Sequence, residues 1–190
     1  SLHDALPISL KIVTLLGSLR KGSYNAAVAR ALPALAPDGV EVFALPSIRD
    51  LPLYDADVQA EGFPPAVIAL ADQIRAADGV LIVTPEYNRS VPGVLKNALD
   101  TASRPWGTNS FAGKPSAVIG ASVGAIGTAV AQQHLRSILS FLASPELAQP
   151  EGYLQMRDGL IADDGDVTDA STEEFLLSWL KAVHTHIAKS

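Results

Sequence analysis

Five short apolar runs, each followed by a segment with helical spacing, limit what this chain can fold into. Leu10-Lys11-Ile12-Val13-Thr14-Leu15-Leu16, Val40-Glu41-Val42-Phe43-Ala44-Leu45, Gly79-Val80-Leu81-Ile82-Val83-Thr84 and Lys114-Pro115-Ser116-Ala117-Val118-Ile119-Gly120 read as strands, and Tyr153-Leu154-Gln155 as a weaker fifth. Between them the apolar residues recur at helical intervals. Val28, Leu32 and Leu35 define the first helix, and Ile68, Ala71 and Ile74 a second over 66–77. Val94, Leu95, Ala98, Leu99 and Ala102 define a third over 91–102, and Ala131, Leu135, Ile138 and Leu142 a fourth over 126–142. A last helix begins after Ser171-Thr172-Glu173-Glu174 and carries Leu176, Leu180, Val183 and Ile187. The run from Gly79 is apolar without a break, as a strand buried on both faces must be. Regular alternation of this kind gives an α/β fold, with a parallel sheet covered by helices on both sides. Pro33 conflicts with its helical surroundings and predicts an end or a kink there. The stretch from Pro46 to Pro65 reads as irregular.

The chain has 190 residues, 48% of them hydrophobic and 18% charged, which suits one domain with a sizeable core. Ser1–Ser9 has neither the basic start nor the long apolar centre of a secretory signal. Residues 1–8 are therefore read as a non-native or disordered extension, and 9–190 as the domain. A net charge of −6 argues against a nucleic-acid partner. No apolar run reaches membrane-span length, so a cytoplasmic protein is the default expectation. Without cysteine there is no disulfide framework and no thiolate metal site. The histidines show no ligand spacing: His184 and His186 point to different helix faces and His134 stands alone, so no metal site is expected. The acidic stretch Asp158–Asp169 reads as a solvated loop.

In parallel sheets of this class the ligand binds at the carboxyl ends of the strands, where strand order reverses. Three turns should meet there: Gly17–Asn25, Pro85–Val91 and Ala121–Gly127. The first runs from a buried strand into a helix. Its glycines let the backbone approach a ligand, and the helix start offers unpaired N–H groups and a positive dipole end. Ser18, Ser23 and Asn25 add side-chain donors and Arg20 a charged one. That donor set suits a phosphate dianion. The loop is not G-x-G-x-x-G, since Leu19 occupies the second glycine position, and no Gly-Lys-Ser/Thr closes it as in a Walker A loop. A dinucleotide or nucleoside triphosphate is thus disfavoured and a mononucleotide remains. The second turn offers an aromatic and an amide, Tyr87 and Asn88, on a backbone bounded by Pro85 and Pro92, directly after the central strand. Together the two turns suit a flat aromatic ligand with a phosphate tail.

Gly17-Ser18-x-Arg20-x-x-Ser23-x-Asn25, followed by Pro85-Glu86-Tyr87-Asn88 and Ser90-Val91-Pro92-Gly93-Val94-Leu95-Lys96-Asn97-Ala98-Leu99-Asp100, resembles the NADPH-dependent FMN reductase family, in particular its bacterial quinone and chromate reductase branch. The likeness runs from about Ser9 to the final helix. It implies a flavodoxin-like fold with a five-stranded parallel sheet of order 2-1-3-4-5 and non-covalently bound FMN. By this resemblance Ser18, Arg20, Ser23, Tyr24 and Asn25 hold the FMN phosphate, while Pro85, Glu86, Tyr87 and Asn88 line the isoalloxazine. Ser122 and Gly124 approach its pyrimidine edge. NADPH or NADH is the co-substrate, and electrons pass in pairs to a quinone, a flavin, an azo compound or an oxidised metal ion by ping-pong hydride transfer. No catalytic side chain is assigned, since the cofactor carries the chemistry; Asn88 and Arg89 are the candidate substrate contacts. Arg89 replaces the uncharged residue of many relatives. The likeness also implies a homodimer or homotetramer, and Arg104-Pro105-Trp106 could edge the pocket or a subunit contact.

Two other readings compete. A flavodoxin-type electron carrier would share the fold without NAD(P)H activity, but such carriers cradle the phosphate in a Thr/Ser-rich loop without an arginine. Gly120-Ala121-Ser122-Val123-Gly124 matches the G-x-S-x-G of a serine esterase, with Asp163 or Asp166 and then His184 or His186 following in order. That enzyme would leave the phosphate loop unused.

Overall fold

The computed structural model describes residues 9–190, so the expectation for residues 1–8 lies outside it. At the centre stands β3 (Gly79–Val83), all five residues buried, as an unbroken apolar run requires. It pairs in parallel with β1 (Leu10–Leu16) on one side and β4 (Ser116–Ser122) on the other. β2 (Val40–Ala44) closes one edge and β5 (Gly152–Gln155) the other, giving the order β2-β1-β3-β4-β5 with every pairing parallel. The expected flavodoxin-like order is therefore present.

The period of two along each strand sends alternate side chains to two cores. Ile12, Leu81, Val83, Ile119 and Ala121 face α1 (Tyr24–Leu35) and α6 (Ala170–Ala188), where Val28, Leu32, Trp179 and Val183 cover them. Val13, Leu15, Val80, Ile82 and Val118 face the other way. Leu70 and Ile74 of α3 (Pro65–Ala76), Leu95 and Leu99 of α4 (Gly93–Ala102), and Leu135 and Leu139 of α5 (Ala129–Phe141) cover that side.

Several boundaries differ from the sequence expectation. α1 runs through Pro33 to Leu35. The proline lies in the last turn on an exposed face, where the Ala29 carbonyl it leaves without a helical donor can meet water. A short α2 (Ala56–Glu61) forms in the stretch read as irregular, because Asp55 accepts the Asp57 N–H at 2.8 Å and caps it. α4 starts at Gly93 rather than Val91, after Pro92, and α5 at Ala129 rather than Ile126. β4 extends two residues past Gly120, to Ser122. α6 starts four residues before Glu174, because the Asp169 carboxylate accepts the Thr172 N–H at 2.9 Å.

Candidate functional site

The site is built where β3 ends early and β4 does not. The last rung between them is the Thr84 N–H donating to the Ile119 carbonyl at 3.0 Å. The chain then leaves the sheet at Pro85, while β4 runs on to Ser122. Alternate residues of a central parallel strand bond to opposite neighbours. Ser122 faces β5 through the Met156 N–H at 2.8 Å, so Ala121 faces the side where β3 has gone. Its two backbone groups are buried and would be orphans, a costly arrangement. Asn25, from the first turn of α1, occupies the gap. Its Oδ1 accepts the Ala121 N–H at 2.8 Å and its Nδ2 donates to the Ala121 carbonyl at 3.0 Å. The primary amide takes the place of a missing peptide group. This pair and the Gly17 N–H to Val83 carbonyl bond of 2.8 Å set the first turn against β3 and β4 at the carboxyl edge.

The structure distributes the expected phosphate ligands unequally. Ser23 is the α1 N-cap, accepting the Ala26 N–H at 3.2 Å while its own hydroxyl proton stays available. The N–H groups of Tyr24 and Asn25 have no intrahelical acceptor and point out of the helix start. Arg20 makes no ion pair among the described residues and lies 5.3 Å from the Tyr24 ring centroid, a cation–π contact that keeps it over the turn. The buried Ser18 makes no side-chain hydrogen bond among the described residues. One unpaired cation, two free N–H groups and two hydroxyls form a donor set suited to an anion. Asn25 has a further role: its side-chain amide bonds both backbone groups of Ala121, while its backbone N–H stays unpaired at the helix start. At Gly17 a Cβ would come to 3.0 Å from Leu95 Cδ2 and 3.1 Å from Thr84 Oγ1, so the turn packs closely on β3 and α4.

The second turn is a tight hairpin. Tyr87 and Ser90 exchange both backbone hydrogen bonds, at 3.0 and 3.1 Å, and Asn88 and Arg89 between them have φ of +51° and +62°. Two consecutive left-handed residues make a type I′ turn, for which Asn suits the first place and Gly the second. Arg89 therefore holds a conformation that glycine prefers. It is exposed, 3.4 Å from Glu86 Oε1. Glu86 does not face solvent: its side chain is 8% exposed and its Oε2 accepts the Ala131 N–H at 2.9 Å. Ser90 Oγ lies 2.9 Å from His134 Nδ1, so this histidine, which looked isolated in the sequence, is a second tie between hairpin and α5. Neither tie has a sequence signature, since each joins a loop to a helix more than forty residues away. In the third turn Ser122 Oγ accepts the Gly124 N–H at 3.1 Å. No Cβ fits on Gly120 just before it, because Thr128 Oγ1 and the Thr84 carbonyl fill that space.

Other candidates are not brought here. Ser122 lies at the carboxyl edge. His184 and His186 lie in the last turns of α6 at the opposite edge, where Ile187 packs on Gly79 and His186 Nε2 meets the Pro145 carbonyl at 2.9 Å. The 15 residues of α6 from Ala170 to His184 alone span about 20 Å, so no esterase triad assembles among the described residues. Arg104 and Trp106 line a cavity of about 300 Å³ with Phe141, also at the amino edge, and do not border this chain's own crevice. Among the described residues no cluster of three or more His, Asp or Glu could hold a metal ion, and no helix is long and apolar enough to cross a membrane.

Residues 10–156 match the NADPH-dependent FMN reductase family. The chain is 55% identical over 177 residues to a quinone reductase of Escherichia coli, covering 91% of this chain and 93% of the relative. It is 48% identical over 173 residues to a 2-hydroxy-1,4-benzoquinone reductase of a Burkholderia species, with coverage of 91% and 93%. Among solved structures, FerB, a flavoenzyme NAD(P)H:(acceptor) oxidoreductase of Paracoccus denitrificans, superposes with a TM-score of 0.89 at 43% identity, covering 95% of this chain and 98% of that one.

Proposed function

We propose that this chain, which belongs to the NADPH-dependent FMN reductase family, is an NAD(P)H-dependent quinone reductase with FMN lying across the carboxyl edge of its sheet. The observation that carries this placement is the donor set at the start of α1, an unpaired Arg20 beside free N–H groups and hydroxyls, at the same carboxyl edge of the sheet as the hairpin after β3. Ser18, Arg20, Ser23 and the N–H groups of Tyr24 and Asn25 hold the phosphate. Pro85, Glu86, Tyr87 and Asn88 wall the ring, much of it through backbone, and Ser122 and Gly124 border its far edge. Bound FMN supplies the redox chemistry, taking two electrons from NAD(P)H and returning them, with two protons in all, to reduce a quinone to its hydroquinone.

The chain's own contribution is placement. Helix start and Arg20 fix one end of the cofactor. The hairpin, pinned twice to α5, gives the ring a rigid wall and exposes Asn88 and Arg89 beside the open face. Nicotinamide and acceptor then share that face, and we read turnover as ping-pong. Quinones are the principal acceptors in this reading, with free flavins, azo compounds and oxidised metal ions as further ones.

Cofactor released from the purified protein should have the mass of FMN, and FMN should bind more tightly than FAD. Double-reciprocal plots of NADPH oxidation at several fixed quinone concentrations should be parallel. Equal or tighter FAD binding overturns the phosphate placement, and intersecting plots overturn the shared face. NADPH oxidation that no quinone accelerates would return the chain to the electron-carrier reading.

A further inference from the structure

We infer that Asn25 is a positioning residue that fixes the distance between the two ends of the cofactor site. This rests on the FMN placement proposed above and goes beyond it. Asn25 belongs to the phosphate turn by sequence, yet the residue is 3% exposed and its side chain makes both of its hydrogen bonds to Ala121, 96 residues away. Ala121 immediately precedes Ser122 and Gly124, which border the ring. The amide therefore joins the phosphate end of the crevice to its ring end where the sheet ladder has been interrupted, and it is the side-chain hydrogen bond that bridges them there.

A two-ended ligand benefits from such a tie in a definite way. Phosphate and ring bind as linked modules, and the second gains from the first only when the span between their sites matches the ribityl chain. A rigid span keeps that gain, while a variable one spreads the sites over distances the linker does not fit. Each end taken alone does not sense the span. Riboflavin, which has the ring without the phosphate, and inorganic phosphate, which has the charge without the ring, probe the ends separately.

The test compares binding of FMN, riboflavin and inorganic phosphate to the cofactor-free parent and to Asn25→Ala and Asn25→Asp. In Asn25→Ala, FMN affinity should fall about tenfold or more, while riboflavin and phosphate affinities change less than about twofold. Asn25→Asp keeps the acceptor for the Ala121 N–H but sets an oxygen against the Ala121 carbonyl, and should show the same pattern. Equal losses for FMN and riboflavin would mean that the residue only supports local folding, and unchanged FMN binding would mean that the tie does not matter; either overturns the inference. Should both variants unfold, amide exchange in the parent decides. Saturating inorganic phosphate should slow exchange at Ala121, and an unaffected Ala121 overturns the coupling. A parent that binds riboflavin as tightly as FMN would instead refute the phosphate placement, an outcome separate from these.

Discussion

Glu86 offers a clean perturbation, because its carboxylate sits where a helix cap is missing. α5 begins at Ala129 after Thr128, which provides no side-chain cap bond. Glu86 supplies one from another loop, with Oε2 accepting the N–H of the helix's third residue, Ala131, at 2.9 Å. The acceptor is charged, lies at the positive end of the helix dipole, and belongs to a side chain only 8% exposed. A charge-assisted bond of this kind contributes about 1.5–3 kcal/mol. The Arg89 contact adds little, since its guanidinium is 70% exposed at 3.4 Å and solvent screens it. Glu86→Ala should therefore lower stability by about 1.5–3 kcal/mol. For a chain of this size that is a fall in Tm of roughly 3–12 °C. Glu86→Gln keeps an acceptor oxygen without the charge and should cost about 0.5–1.5 kcal/mol. Urea unfolding of the cofactor-free protein, followed by far-UV circular dichroism, measures both without the stabilisation that bound cofactor would add. A Glu86→Ala loss below about 0.5 kcal/mol, the range of an ordinary surface substitution, would refute the capping role. A Gln variant as unstable as the Ala variant would refute the part assigned to charge.

Arg20→Ala should weaken FMN binding roughly 10- to 150-fold, the loss of one charge-assisted contact, while riboflavin titrations stay unchanged. Gly120→Ala places a methyl against the Thr84 carbonyl and Thr128 Oγ1; it should cost about 1–3 kcal/mol or more in urea unfolding and weaken FMN binding. At the start of α6, hydrogen bonds from Ser171, then Thr172, hold the Asp169 carboxyl below the usual carboxylate range. A folded-state pKa below the unfolded one stabilises above the unfolded pKa, and that contribution is lost as pH falls through the folded value. The stability advantage of the parent over Asp169→Asn should accordingly be present near neutrality and vanish on acidification, as thermal unfolding across pH would record.

Much of the architecture could be read from residue pattern alone, for reasons specific to each element. The Gly79–Val83 run has no polar face and can only be a central strand, and the helices that cover the sheet carry one apolar stripe each. The Gly17–Asn25 turn was legible as a strand-to-helix turn because its chemistry is local: Ser23 caps the helix that follows it, and Arg20 lies three residues before the cap. What stayed hidden depends on partners far apart in sequence. Ser90 and His134 are 44 residues apart and Glu86 and Ala131 are 45. α2 escaped because Asp55 caps it while its own helix buries no residue, so no apolar periodicity marks it. Pro33 was over-read: near a helix C-terminus on an exposed face, the carbonyl it deprives is solvated at little cost.

Asn25 shows that a motif can place a residue without revealing all that its side chain does. Any sheet that opens a crevice by ending one strand before its neighbour leaves backbone groups of the longer strand without partners. Water can satisfy them only if the crevice floor is wet, which would also weaken every polar contact made there. A second strand would close the crevice. A primary amide is the one uncharged side chain with a donor and an acceptor arranged like those of a peptide group, so it completes the ladder at Ala121 without occupying the space above it. Because that amide comes from the helix whose start holds the donor set, the same turn completes the floor of the crevice and presents the groups proposed to take the phosphate. An aspartate would set like against like at one of the two bonds, and a glutamine would reach one methylene too far. The shape of the crevice thus demands asparagine at position 25 whatever its backbone N–H contributes to the ligand.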